Sequence, residues 1–109
     1  MLPVHLLIDA TLQTLTERGV FYYILQRGEK SSGVILLKIS DRAGRCTLIT
    51  QQRDLEGDLN WIAALAEEIV PEKEADTYIQ RAVQRDPDLW VIEIEDPEMH
   101  NPFASISKA

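Results

Sequence analysis

Hydrophobic positions at helical spacing predict a helix near the start of the chain. From Val4 to Leu15 apolar residues recur every three or four positions, which places them on one helix face. Gly19 suits the position that follows a helix end. We therefore predict a first helix from about Val4 to Arg18.

The clearest pattern, over residues 70–96, predicts a helix followed directly by a strand. Pro71 suits a first helical turn, because its missing N–H would have no helical partner there. Pro87 pushes the preceding Asp86 out of the helical region, so the helix ends at Asp86. The apolar run at 89–92 then gives way to alternation, which predicts a strand buried at its start and half-solvated at its end.

Three segments between these helices predict strands. Residues 20–25, 34–39 and 45–51 are rich in β-branched, aromatic and aliphatic side chains, as strands are. Polar, glycine-containing segments at 28–33 and 41–44 separate them and suit hairpin turns. We therefore predict that these three strands form an antiparallel meander.

Residues 59–66 allow two interpretations. The alanine content and the spacing of Leu59, Ile62 and Ala66 favour a helix with Asp58 as its cap. A short apolar run before another helix is equally typical of a fourth strand. The predicted fold class is α+β, with an N-terminal helix, an antiparallel meander of three to four strands, a second helix and a final strand that joins the sheet.

The composition is that of one globular domain. A chain of 109 residues with 45% hydrophobic residues can bury a core, so we expect a single domain over 1–109. Its ordered core should cover about 4–96, followed by an irregular tail at 97–109 whose last six residues are frayed. No apolar run reaches the roughly 20 residues of a membrane span, and the N-terminus lacks the basic residues of a signal peptide. We expect a cytoplasmic protein.

The net charge of −7 is unevenly distributed. Residues 18–53 carry seven basic groups against two acidic ones, whereas residues 54–98 carry fourteen acidic groups against three basic ones. The overall acidity argues against nucleic acid as a partner, because neutralisation of phosphates supplies most of that affinity. Charge-matched self-association of the two halves stays open, as does the simpler interpretation of a solvated surface.

Four segments of the chain resemble a family of small bacterial proteins, mostly proteobacterial, that carry a domain of unknown function. Their pattern is RG…GxxLxK…VPExEAD…DPDLWVxExED, and the similarity covers most of residues 5–96. The resemblance implies one small α+β domain without an established activity, cofactor or site. It also implies a fourth strand at about 59–65, although the segment 62–68 is unusually rich in helix-favouring residues here.

Two candidate sites rest on local clusters of residues. The glycine-bounded segment 28–33 superficially resembles a phosphate-binding loop, but such a loop continues into a helix, whereas a strand follows here. The densest group of possible metal ligands comprises Glu93, Glu95, Asp96, Glu98 and His100. Because neighbouring strand residues point to opposite faces, the solvated interpretation outweighs a metal site, and we predict no metal or other cofactor.

The single cysteine could pair with a histidine as nucleophile and base. Cys46 lies on a predicted strand, and neither His5 nor His100 is placed beside it by any motif. A buried cysteine usually behaves as a small hydrophobic residue. The sequence therefore contains no catalytic constellation.

We accordingly expect a non-enzymatic protein-interaction or regulatory module. Self-association through an exposed strand edge or Trp61 is one form of it. The alternative is a binder of small ligands or nucleic acid that uses a basic face of the β-hairpins at Arg27, Lys38 and Arg45. The candidate interaction surface comprises Tyr22, Arg27, Lys38, Arg45 and Trp61.

Overall fold

The computed structural model describes residues 3–31 and 33–103, which form two helices and a mixed sheet. The helices are α1 (Val4–Glu17) and α2 (Glu72–Arg85), each within a residue or two of its predicted bounds. The strands are β1 (Phe21–Gln26), β2 (Ile35–Ser40), β3 (Arg45–Arg53), β4 (Leu59–Ala63), β5 (Val70–Pro71) and β6 (Trp90–Glu95). The predicted α+β class is confirmed.

The order of the strands corrects the predicted meander. The sheet runs β1-β6-β2-β3-β4, and the short β5 pairs with β3. The last strand, β6, lies between β1 and β2, antiparallel to β1 and parallel to β2. The three-stranded antiparallel meander is therefore β2-β3-β4, and β1 does not belong to it. The reason is burial: β6 begins with three fully buried apolar residues, so it takes a central position in the sheet.

The connection from β1 to β2 is consequently a crossover and not the predicted hairpin. It passes over the start of β6 and is fastened there. The Trp90 indole Nε1 donates to the Glu29 carbonyl at 2.7 Å, and the Glu29 N–H donates to the Asp88 carbonyl at 2.9 Å. A Cβ on Gly28 would collide with that same Asp88 oxygen, and one on Gly33 would lie 2.7 Å from it. Both glycines are required by this close approach.

The segment with two interpretations is a strand. Leu59–Ala63 forms β4, antiparallel to β3. Pairing with the edge of β3 outweighs the helix propensity of its alanines, since tertiary context overrides weak local propensity.

Each face of the sheet is covered by one helix. On one face, α1 packs against alternate residues of the central strands, with a core that includes Ile8, Leu12, Leu15, Leu37, Ile39, Ile92 and Phe103. On the other face, α2 contributes Ala75, Ile79 and Ala82 to a core with Leu36, Leu48 and Val91. Within the part of the chain that the structure describes, neither α1 nor α2 has the length and hydrophobicity of a transmembrane segment.

The described part of the tail is irregular but packed. Residues 97–103 contain no helix or strand, yet Phe103 is fully buried, and its ring centroid lies 5.6 Å from that of Trp61. The aromatic contact explains why Trp61 is half-buried. The expected fraying concerns residues 104–109, which lie outside the described residues.

Candidate interaction site

The edge strand β1 exposes an apolar stripe on the α2 side of the sheet. Side chains alternate along a strand: Tyr22 and Ile24 pack against the α1 core. Phe21 and Tyr23 point the other way, and Leu25 follows at the register shift; the three side chains are 61, 49 and 50% exposed. No described residue of β1 belongs to the α2 core, so α2 leaves these three residues, here called the β1 stripe, uncovered.

The outer edge of β1 has little protection against strand pairing. Edge strands in natural proteins commonly carry charged residues or proline, which discourage pairing with another chain. The six residues Phe21–Gln26 contain neither, and the one irregularity is a register shift against β6 between Ile24 and Gln26. Among the described strands, none pairs with the outer edge of β1, so the strand presents apolar side chains and an open backbone edge together.

Carboxylates of β6 flank the β1 stripe. Glu95 is the cross-strand neighbour of Phe21, and Glu93 that of Tyr23. On the following strand Lys38 is in register with Glu93. The acidic residues thus form the inner margin of the stripe, between β1 and the region that α2 covers.

The margin contains a buried lysine surrounded by carboxylates. Lys38 is only 3% exposed. Its Nζ lies 2.8 Å from Asp76 Oδ1 and 3.0 Å from Glu72 Oε1 on α2, and 3.6 Å from Glu93 Oε1. We call these four residues the Lys38 cluster. Three carboxylates against one ammonium leave the cluster with excess negative charge.

The environment fixes the protonation state of Lys38. Burial by itself lowers the pKa of this lysine, but the hydrogen bonds to Asp76 and Glu72 and the charge of Glu93 outweigh burial and raise the pKa above its ordinary value. Lys38 therefore stays protonated at physiological pH and cannot act as a base or nucleophile. Its chemical role is that of an internal counter-ion.

The neighbouring thiol is equally unreactive. Burial raises the pKa of Cys46 to about 11; Lys38 opposes this shift and the three carboxylates of the cluster add to it. Since the thiolate is the reactive form, this cysteine is inert near neutral pH. For Glu93, burial raises the carboxyl pKa, although the charge of Lys38 opposes the shift.

Similarity to known proteins agrees with this fold. The model of a family described as "Protein of unknown function (DUF1491)" matches residues 2–104. The chain belongs to the DUF1491 family. No curated protein matches this chain.

Solved structures share the fold. A crystal structure of a DUF1491 family protein from Caulobacter crescentus CB15 is 27% identical, with a TM-score of 0.83 and 96% coverage of both chains. The solution structure of Atu0922 from A. tumefaciens is 23% identical, with a TM-score of 0.70 over 87% of this chain and 86% of that one.

The segments that carry the family resemblance meet at two places in this DUF1491 protein. The first is the fastened crossover, which joins the glycines of 28–33 to Asp88 and Trp90. The second is the Lys38 cluster, which joins β2, α2 and β6. Both contacts hold distant segments together, so the residues of the family pattern that form them have a structural role.

The five residues considered as metal ligands do not converge on one point. Glu93 belongs to the Lys38 cluster, whereas the Asp96 carboxylate accepts the N–H groups of Glu98 at 3.0 Å and His100 at 3.2 Å in the tail. The chain does bring Asp54, Glu56 and Asp58 together in the β3–β4 turn, a group that no sequence motif indicated. All three are exposed, and Asp54 Oδ1 accepts two backbone N–H groups at 2.9 Å, which shapes the turn.

No cysteine–histidine pair forms among the described residues. Cys46 is buried in the α2 core. His5 lies on α1, where its Nδ1 is 3.0 Å from the Lys30 carbonyl oxygen, and His100 lies beside Asp96. The two histidines are therefore not placed to activate the thiol.

The residues of the candidate interaction surface predicted from the sequence do not lie together in the structure. Placing Lys38 on a basic face was wrong, because it is buried among acids. Arg27 and Arg45 are exposed but lie at opposite ends of the sheet, one near the start of β2 and the other near its end. Tyr22 faces the α1 core, so Tyr23 is the outward tyrosine. Side-chain alternation along β1 separates Tyr22 from Tyr23, but only the packing of the helices shows which of the two is exposed.

Proposed function

We propose that this DUF1491 protein is a non-enzymatic protein-interaction module that self-associates through β1. The observation that carries the proposal is the β1 stripe on an edge without charged residues or proline. Large exposed apolar patches on soluble domains commonly mark interaction sites. The buried groups that could have acted as nucleophiles, Lys38 and Cys46, are held in unreactive states, which supports a role in binding over one in catalysis.

The β1 stripe is complementary to itself. In an antiparallel pair of β1 strands centred on Tyr23, Phe21 of each copy lies opposite Leu25 of the second copy, and the two Tyr23 rings are neighbours. Aromatic and aliphatic cross-strand pairs stabilise a sheet by roughly 0.2–1 kcal/mol each. A two-fold axis at Tyr23 makes the Phe21–Leu25 contact twice and the Tyr23–Tyr23 contact once, as in the isologous interface of the commonest dimers.

The carboxylates of Glu93 and Glu95 beside each β1 stripe are compatible with this dimer. The β6 strands of the two copies would be separated by three strand spacings, about 14 Å. This exceeds the Debye length of about 8 Å at physiological salt, so most of the repulsion between the Glu93 and Glu95 pairs is screened. The dimer should consequently weaken at low salt. We place the module in the cytoplasm, where its one thiol stays reduced.

Sedimentation equilibrium and light scattering over a concentration series test the proposal. We expect a dimer for the wild type, a monomer for Leu25→Lys, and a dimer for the control Leu55→Lys. Leu55 is a fully exposed leucine in the β3–β4 turn, so the control has the same chemical change away from β1. A wild-type monomer at several hundred micromolar, or a Leu25→Lys variant that dimerises unchanged, would overturn the proposal.

A further inference from the structure

A groove of about 610 Å³ lies between α2 and the segment that precedes it, and it shares no lining residue with the β1 stripe. One wall is the exposed side of α2. The other wall contains Leu65 and Pro71, and Tyr78 adds an aromatic ring from the helix. Its lining combines apolar and charged side chains.

The charged residues on the α2 wall are mainly basic. Residues 54–98 contain fourteen acids and only three bases, and all three bases, Lys73, Arg81 and Arg85, line this groove. All three are exposed, and none forms an ion pair with another residue in 3–31 or 33–103. One carboxylate, Glu74, shares the lining. The three basic residues of the acidic segment 54–98, which form no ion pair with a described residue, therefore lie together in one groove.

The spacing of these cations fits an extended peptide. With a rise of 1.5 Å per residue, Arg81 and Arg85 lie about 6 Å apart along the helix axis, and Lys73 lies about 12 Å before Arg81. In an extended strand, side chains on one side recur about every 6.6 Å. Alternate acidic side chains of a bound peptide would meet the basic wall, and the intervening side chains would face Leu65 and Pro71.

We propose that this groove binds an extended acidic peptide in which acidic and apolar residues alternate. Charge complementarity selects the acidic side chains, and the apolar wall selects the residues between them. A single-stranded nucleic acid has phosphates at a similar spacing, but the groove offers its bases only one aromatic ring, Tyr78, for stacking. The peptide is therefore the better match.

Fluorescence anisotropy with a labelled octapeptide that alternates Glu and Leu tests this site. At 50 mM salt we expect saturable binding that weakens at least tenfold at 500 mM salt, because the contacts are ion pairs at an exposed surface. The matched peptide with Gln for Glu should bind at least tenfold more weakly. Arg81→Gln with Arg85→Gln should give a similar loss, whereas the control Arg27→Gln, an exposed arginine outside the groove, should bind as the wild type does.

Equal binding of the two peptides, or full binding by the double arginine variant, would overturn the proposal. An oligothymidylate that binds more tightly than the acidic peptide would show that the groove is a nucleic-acid site instead. Circular dichroism and thermal melting confirm that each variant is folded. The peptide site is independent of β1, so Leu25→Lys should leave peptide binding unchanged even if it abolishes the dimer.

Discussion

Removing the charge of Lys38 should destabilise the protein through the carboxylates that it leaves behind. The Lys38 ammonium lies within 2.8–3.6 Å of three carboxylates contributed by α2 and β6. Lys38→Met keeps most of the apolar side chain and removes the charge. The substitution leaves Glu93, whose side chain is 19% exposed, beside two other acids without a counter-ion.

The expected cost follows from the solvation of the three carboxylates. Removing one partner of a buried ion pair costs about 3–5 kcal/mol. The side chains of Glu72 and Asp76 are 32 and 54% exposed, so water can solvate them once Lys38 is gone. Glu93 then accounts for most of the penalty, and we expect a loss of about 3 kcal/mol at pH 7, at the lower end of that range.

The loss should shrink as the pH falls from 7 to 5. Burial already raises the pKa of Glu93, and removing the ammonium raises it further. The folded variant then binds more protons than the unfolded chain, so its stability increases as the pH decreases. In the wild type, the raised pKa of Lys38 acts in the same direction at high pH. The stability that it supplies is complete below pH 10.5 and is lost as the pH rises further.

Urea denaturation followed by tryptophan fluorescence at pH 7 and pH 5 measures both effects. The control Lys30→Met changes an exposed lysine and should stay within about 0.5 kcal/mol of the wild type. Adding Glu93→Gln to Lys38→Met should recover part of the loss. A cost below about 1 kcal/mol at pH 7, or an equal cost at both pH values, would refute the reasoning that an uncompensated carboxylate causes the loss.

Three further predictions concern other parts of the structure. Gly28→Ala should lower the free energy of unfolding by about 3 kcal/mol in urea, because the new Cβ would collide with the Asp88 carbonyl; a change within 0.5 kcal/mol would contradict the fastened crossover. Phe103→Ala should cost about 3–5 kcal/mol by thermal or urea unfolding, and a neutral result would show that the tail does not pack on α1. Because folding raises the pKa of Cys46 from 9.0 to about 11, the unfolded chain loses this proton first, and the wild type should lose about 1.4 kcal/mol more than Cys46→Ala between pH 8 and pH 10. Parallel pH profiles for the two proteins would contradict the raised pKa.

The elements of this fold could largely be predicted from local sequence. Pro71 and Pro87 bound α2, as their restricted backbone requires, and the apolar run at 89–92 lies in the buried strand β6. Helix ends and strand alternation depend on residues only a few positions apart, so local sequence is enough to indicate them. The segment 59–63 was ambiguous because its propensity and its pairing partner favoured different structures.

The order of the strands and the surfaces for binding were decided only by tertiary structure. Nothing near β1 indicates that β6, some seventy residues later, pairs with it and separates it from β2. That insertion buries Lys38 among carboxylates from two other elements and leaves Tyr23, not Tyr22, exposed. Burial and ion pairing depend on which elements meet in space. Local sequence indicated most of the helices and strands, and packing decided which of their residues remain available to a partner.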